Sequence, residues 1–124
     1  MIRGLGIDLI ENCRFERELT RGEWIRENGI FTGEEIHCCA GKNSAPRYAA
    51  CFAAKEAALK ALGVEVRDLA VFREVEAKFD AGNVCGIVLH DRLHAEAGRL
   101  GVRRINLSVA ATKKQTGAMV VLES

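Results

Sequence analysis

The sequence predicts one α+β domain over residues 1–124, with a mostly antiparallel sheet packed against a long helix and several shorter ones. Three observations lead there. Strand-like runs in the second half come in neighbouring pairs joined by short turn sequences, the pattern of antiparallel hairpins. A long alanine-rich run with helical spacing stands between them and the first strand. With 124 residues, 48% apolar and 28% charged, the chain can fill one core but not two, and it carries no repeat or linker.

Residues 2–10 read as a strand with two unlike faces. Arg3, Leu5, Ile7 and Leu9 form a mainly apolar face expected in the core. Ile2, Gly4, Gly6, Asp8 and Ile10 form the other, where two glycines clear space beside a carboxylate. Either a ligand or another backbone approaches there, or the strand bulges and Asp8 is hydrogen-bonded at its end. Residues 12–28 read as two short helices, the second opened by the capping box Thr20-Arg21-Gly22-Glu23. Thr32-Gly33-Glu34-Glu35 opens another, which Gly41 can end. The long helix is expected from about Pro46, a residue suited to a first helical position, to Leu62, with Gly63 as its stop.

Leu69–Phe79 and Val84–His90 are expected as strands joined across Asp80-Ala81-Gly82-Asn83. Asp91 can cap a short helix ending near Gly101. Arg104–Ala111 and Gly117–Glu123 complete a second hairpin across Lys113-Lys114-Gln115-Thr116.

Eighteen Lys and Arg against seventeen Asp and Glu leave a net charge of +1, so bulk charge favours neither nucleic acid nor an anionic membrane. No apolar run approaches the roughly 20 residues of a membrane span. Asp8 interrupts what would be the apolar core of a signal peptide, and a cytoplasmic protein is expected. Cys13, Cys38, Cys39, Cys51 and Cys85 are odd in number and form no C-x-x-C pair, which suits reduced thiols. His37-Cys38-Cys39 resembles a metal fragment, but no second ligand cluster completes it.

Glu56 and Lys60 are spaced i,i+4, acid first, the favoured order for a surface ion pair worth about 0.2–0.5 kcal/mol. Two features point beyond such a pair. Glu56, Lys60 and Gly63 share a helix face with Ala49 and Ala53, a row small enough to leave a groove, and Asp8 stands on a strand face cleared by glycines. Two carboxylates brought together repel unless a divalent cation lies between them, and Mg²⁺ takes one or two protein carboxylates plus water and phosphate oxygens. A lysine one turn along answers the remaining phosphate charge.

Gly4-Leu5-Gly6-Ile7-Asp8-Leu9-Ile10-Glu11, then Ile30-Phe31-Thr32-Gly33-Glu34-Glu35, then Phe52-Ala53-Ala54-Lys55-Glu56-Ala57-Ala58-Leu59-Lys60-Ala61-Leu62-Gly63 resemble, in order and spacing, the signatures of the holo-[acyl-carrier-protein] synthases. These are the small phosphopantetheinyl transferases, and the resemblance extends to the closing hairpin from Ser108 to Glu123. It implies transfer of 4'-phosphopantetheine from coenzyme A to a serine of an acyl carrier protein, with adenosine 3',5'-bisphosphate leaving. Position by position, it implies Asp8 and Glu56 as Mg²⁺ ligands and Glu56 and Lys60 as catalytic residues. Glu56, Lys60 or water at the metal is left to take the serine proton. Lys60 and Gly63 are implied at coenzyme A, with Lys42 and Arg47 as candidates for its 3'-phosphate. Lys55 is expected either to reach coenzyme A or to lie along the surface.

Arg14 matches a carrier-binding position, and Arg17 and Arg21 join it by charge, spaced to share one helical side unless a new helix starts at Thr20. The resemblance also implies a homotrimer with active sites between subunits, the Asp8 strand of one chain meeting the helix that carries the second carboxylate. This chain departs from the pattern in several places. Cys51 replaces an arginine, which implies a missing charge contact near the site. Val64-Glu65-Val66-Arg67-Asp68 shortens a loop that helps hold pantetheine, Gly82-Asn83-Val84 replaces a Gly-x-Pro turn, and Asn106, Ala110 and Ala111 supply no acid–base group. A non-catalytic relative that keeps the fold as a partner- or nucleotide-binding module is the alternative.

Overall fold

A computed structural model describes residues 1–21 and 29–124, with the side chains of residues 20 and 21 outside the description. Its elements are β1 (Ile2–Glu11), α1 (Asn12–Arg21), α2 (Gly33–Cys39), α3 (Ser44–Leu62), a 3-10 helix (Leu69–Glu74), β2 (Val75–Asp80), β3 (Asn83–Leu89), α4 (Asp91–Arg99), β4 (Arg104–Ala111) and β5 (Gln115–Glu123). One antiparallel sheet has the order β1-β5-β4, and β2 pairs with β3 in a second. No described helix is long and apolar enough to cross a membrane.

The long helix lies against the three-stranded sheet on the glycine face of β1. A Cβ on Gly4 would fall 2.0 Å from the Ala61 carbonyl oxygen, and one on Gly6 would fall 1.9 Å from that of Ala57. The space the glycines clear is therefore filled by another backbone. Ala49, Ala53, Ala54, Ala57 and Ala58 are buried along the same helix, so the groove expected beside Ala49 and Ala53 is closed by packing. From Phe52 on α3 the core continues through Phe15, Phe31 and Phe72, with the Phe52 and Phe72 rings stacked 5.7 Å apart.

This seating of α3 inverts the expectation for β1. Leu5, Ile7 and Leu9, read as core residues, are 63%, 67% and 64% exposed on the far side of the sheet. A strand side with glycines looks poor in apolar mass, yet it admits the closest helix approach, and that approach decides which side is interior.

Other boundaries shift for local reasons. Helix α1 continues through Thr20 to Arg21, and the helix expected to begin there falls on residues 22–28, outside the described residues. Helix α3 begins at Ser44, two residues before Pro46, behind Asn43 in a left-handed conformation. The first half of the strand expected over Leu69–Phe79 is a 3-10 helix, started by Asp68 accepting from the Ala70 N–H at 2.9 Å. Asp91 is the first residue of α4 rather than its cap. The Glu74 carboxylate instead accepts the Arg92 N–H at 2.8 Å and pairs with its guanidinium. The turn between β2 and β3 stands where expected, with Ala81 and Gly82 both at positive φ.

Candidate active site

Asp8 and Glu56 come together within one chain. Strand β1 carries Asp8 on the face that meets α3, and α3 presents Glu56 and Lys60 one turn apart toward it. The Lys60 ammonium donates to Asp8 Oδ1 at 3.0 Å and to the Ile7 carbonyl at 3.1 Å. It is therefore Asp8, rather than Glu56 along its own helix, that holds Lys60. The charge of Asp8 acts on Glu56 within the single chain, so a second subunit is not needed to bring the two carboxylates near each other.

The other oxygen of Asp8, Oδ2, is buried and has no hydrogen-bond partner. Beside it the Glu56 carboxyl is pushed above its ordinary value, first by burial and next by the charge of Asp8, with Lys60 and Arg14 pulling it down. A buried unpaired carboxylate oxygen next to a second carboxylate under like-charge strain is an arrangement that a divalent cation would relieve. Among the described residues no group of three or more His, Cys, Asp and Glu could hold a metal ion. Two carboxylates make a seat that leaves most coordination positions to water and substrate oxygens, a donor set suited to Mg²⁺.

Arg14 stands at the margin of this site, its guanidinium carbon 5.3 Å from the centroid of the Phe52 ring. Arg14 and Arg17 are both exposed on α1, whose backbone carries Arg21 in the same helix.

Lys42 and Arg47 flank the start of α3. Arg47 donates to the carbonyl oxygens of Cys38, Lys42 and Asn43 and so braces this loop. Asn43 makes no side-chain cap bond to the helix. A cavity of about 690 Å³ opens here between Arg47, the Gly82-Asn83-Val84 turn and Ala111, joining two of the segments where the chain departs from the family pattern. Gly63, at φ 69°, ends the helix, with its N–H bonded to the carbonyls of Leu59 and Lys60. It lies about 24 Å along the axis from Arg47, so these two expected coenzyme A contacts are not neighbours in one chain.

Lys55 does not lie along the surface. It is fully buried, with its ammonium 2.6 Å from Glu35 Oε1 and 2.6 Å from the Ile30 carbonyl oxygen. Cys51 is buried too, and its thiol donates to Glu35 Oε2 at 3.2 Å. Its substitution thus changes an interior contact and not a charge beside Asp8 and Glu56. Glu35 has two roles, and its sequence context shows only one of them. Its capping-box spacing was legible and is formed, with Glu35 Oε1 accepting the Thr32 N–H at 2.8 Å, but nothing local announced a buried lysine twenty residues on.

A family model described as the 4'-phosphopantetheinyl transferase superfamily matches residues 4–112. The holo-[acyl-carrier-protein] synthase of Koribacter versatilis is 38% identical over 124 residues, covering 99% of both chains, and that of Geobacter sp. strain M21 is equally similar. Among solved structures, the holo-[acyl-carrier-protein] synthase of Neisseria meningitidis superposes with a TM-score of 0.82 at 30% identity over the full length of both chains. That of Bacillus anthracis, in complex with CoA (3',5'-ADP), gives 0.74 at 28% identity and covers 100% of this chain and 98% of its own. The chain belongs to the 4'-phosphopantetheinyl transferase superfamily and, within it, to the holo-[acyl-carrier-protein] synthases, which makes it a transferase.

Proposed function

We propose that this enzyme moves the 4'-phosphopantetheine arm of coenzyme A onto a serine hydroxyl of an acyl carrier protein and releases adenosine 3',5'-bisphosphate, using Mg²⁺ held by Asp8 and Glu56. The observation that carries the reading is the buried, unpartnered Asp8 Oδ2 beside the strained Glu56. When bound, Mg²⁺ would neutralise diphosphate charge and ease departure of the leaving phosphate. The residues of the chain do the rest by position and charge. Lys60, half exposed beyond Asp8, can turn its ammonium to a phosphate oxygen. Glu56, Lys60 or water at the metal would accept the serine proton.

The nucleotide of coenzyme A would lie in the cavity at the start of α3, where Arg47 and uncapped helix N–H groups favour its phosphates, with Lys42 in the loop just before the helix. Gly63 at the far end of the helix then serves the pantetheine arm or a second coenzyme A from a neighbouring chain. Arg14, whose charge reaches Glu56, and Arg17 offer charge to an acidic carrier. The apolar sheet face of Leu5, Ile7, Leu9 and Met119 supports assembly into a homotrimer. Five unpaired cysteines suit the reducing cytoplasm, where we place the enzyme.

Incubation with apo carrier proteins, coenzyme A and Mg²⁺, read by mass spectrometry, should show a phosphopantetheine adduct on the carrier. No adduct on any carrier, while a known transferase modifies the same samples, would refute the reading.

A further inference from the structure

We propose that Glu35 is a positioning residue for the reacting face of α3: through Lys55 and Cys51 its buried carboxylate sets the rotation and height at which the helix presents Glu56 and Lys60. This rests on the roles given above to those two residues. Glu35 and Lys55 are both at 0% exposure. Every oxygen contact of Glu35 is directional. Oε1 takes the Lys55 ammonium at 2.6 Å and the Thr32 N–H at 2.8 Å; Oε2 takes the Ala77 N–H at 2.8 Å and the Cys51 thiol at 3.2 Å. The Lys55 ammonium bonds in turn to the Ile30 carbonyl and lies 5.3 Å from the centroid of the Phe31 ring.

Cys51 and Lys55 are one turn apart on α3, so a single carboxylate grips the helix at two points of one side. That carboxylate is itself fastened to the start of α2 and to β2. Glu56 follows Lys55 directly and points about 100° further round the helix. Any rotation of α3 about its axis would swing Glu56 away from Asp8.

Tyr48, Phe52, Leu59 and Leu62 seat α3 in the core, with the Phe52 ring stacked on Phe72, but the side toward β1 adds little to that apolar register. The side of α3 that meets β1 is built largely of alanine, including Ala53, Ala57 and Ala61, against the glycines of β1. Such a surface has shallow side-chain ridges, and it is backbone rather than side chains that meets the glycines there. Stability does not explain the ion pair either. Burying two charges costs about as much as their attraction returns, and well-packed apolar pairs commonly do as well or better. What the pair adds is direction.

The test compares the parent with the double variant Glu35→Leu/Lys55→Met, which leaves no buried charge unpaired, and with the single variant Glu35→Gln, which keeps an acceptor for Lys55 and Thr32 but turns a donor toward both Ala77 and Cys51 and removes the counter-charge of Lys55. Melting temperature, Mn²⁺ affinity by electron paramagnetic resonance, and kcat and KM for coenzyme A are measured well below the melting transition. A positioning role predicts a folded double variant with kcat lowered about 10–100-fold, Mn²⁺ binding weakened about tenfold and KM for coenzyme A within about threefold of the parent. Glu35→Gln should show the same pattern at smaller amplitude. If the double variant does not fold, Glu35→Gln decides alone. Folded variants with the parent's kcat and Mn²⁺ affinity, changed only in melting temperature, would overturn the proposal. A parent that makes no adduct would instead overturn the transferase roles, while Mn²⁺ affinity would still compare helix placement among the variants.

Discussion

The Lys60 ammonium sits 3.0 Å from Asp8 Oδ1, an ion pair that ties the last turn of α3 to a strand residue 52 positions earlier. It neutralises one of two crowded carboxylates. Lys60→Met should therefore lose transfer by about 100-fold and also lower the melting temperature of the metal-free protein by a few degrees. Added Mg²⁺ should return most of that lost stability and little of the activity, because a cation between the carboxylates replaces the ammonium's charge but not its reach. Melting curves with and without Mg²⁺ alongside single-turnover rates check this. Equal Mg²⁺ stabilisation of parent and variant would contradict it.

Glu56 has the opposite sign. Its carboxyl is raised above the ordinary value of 4.5, by burial first and then by Asp8, so the folded state holds the proton more tightly than the unfolded chain. Stability is then lost as pH rises from about 4.5 through the folded value. Glu56→Gln removes the penalty. In metal-free buffer at pH 7 the variant should melt about 2–3 °C above the parent while transfer falls to background. A variant less stable than the parent, or one that turns over normally, would remove the basis for assigning the metal seat.

Much of this was legible from the chain. The spacing of Glu56, Lys60 and Gly63, and the carboxylate on a glycine-cleared strand, pointed to the convergence that the fold shows. The capping box at Thr32 and Glu35 and the turn at Ala81 and Gly82 formed where local chemistry required them. What failed depended on partners distant in sequence. Leu5, Ile7 and Leu9 look interior by pattern, yet only the closeness of α3 to Gly4 and Gly6 decides which side is covered. Lys55 reads as a solvent residue because nothing near it reveals that Glu35 awaits it twenty residues upstream.

The approach of α3 to β1 gives a sharp steric prediction. A methyl group at Gly6 would lie 1.9 Å from the Ala57 carbonyl oxygen and 2.7 Å from the Ala61 nitrogen, both helix backbone, so no flexible atom can move aside. Gly6→Ala should destabilise the protein by about 3 kcal/mol or more, with a displaced helix and lost activity in whatever fraction folds. Gly98→Ala, at a helical site with open space around it, is the control and should stabilise α4 slightly. Urea denaturation of both variants tests the contrast, which fails if Gly6→Ala unfolds at the parent's midpoint.

The exposed strip of β1 predicts the assembly. Ile7 stands opposite Met119 on the open sheet face, 67% exposed in the single chain. If this face joins subunits, Ile7→Glu buries a charge at each contact and should shift sedimentation from trimer to monomer at micromolar concentration. Parent protein that sediments as a monomer would remove the premise.

Glu76 contributes to the acid limit of the fold, as does Glu74 paired with Arg92. Burial raises its pKa, but bonds from the Thr32 hydroxyl at 2.7 Å, Lys78 at 3.0 Å and His90 at 3.3 Å outweigh burial and bring it from 4.5 to about 2. A depressed carboxylate contributes stability that is fully present above its unfolded value and is lost as pH falls from about 4.5 toward 2. The full shift would correspond to about 3 kcal/mol, and solvent screening at the half-exposed Lys78 and His90 reduces this to about 1–2 kcal/mol. Glu76→Gln should lower stability by that amount at pH 7 and flatten its decline between pH 4.5 and 2. Because Thr32 opens α2, whose first turn also holds Glu35, the same substitution should loosen the anchor of Lys55. Parallel acid limbs for parent and variant in denaturation titrations would show that Glu76 does not carry this pH dependence.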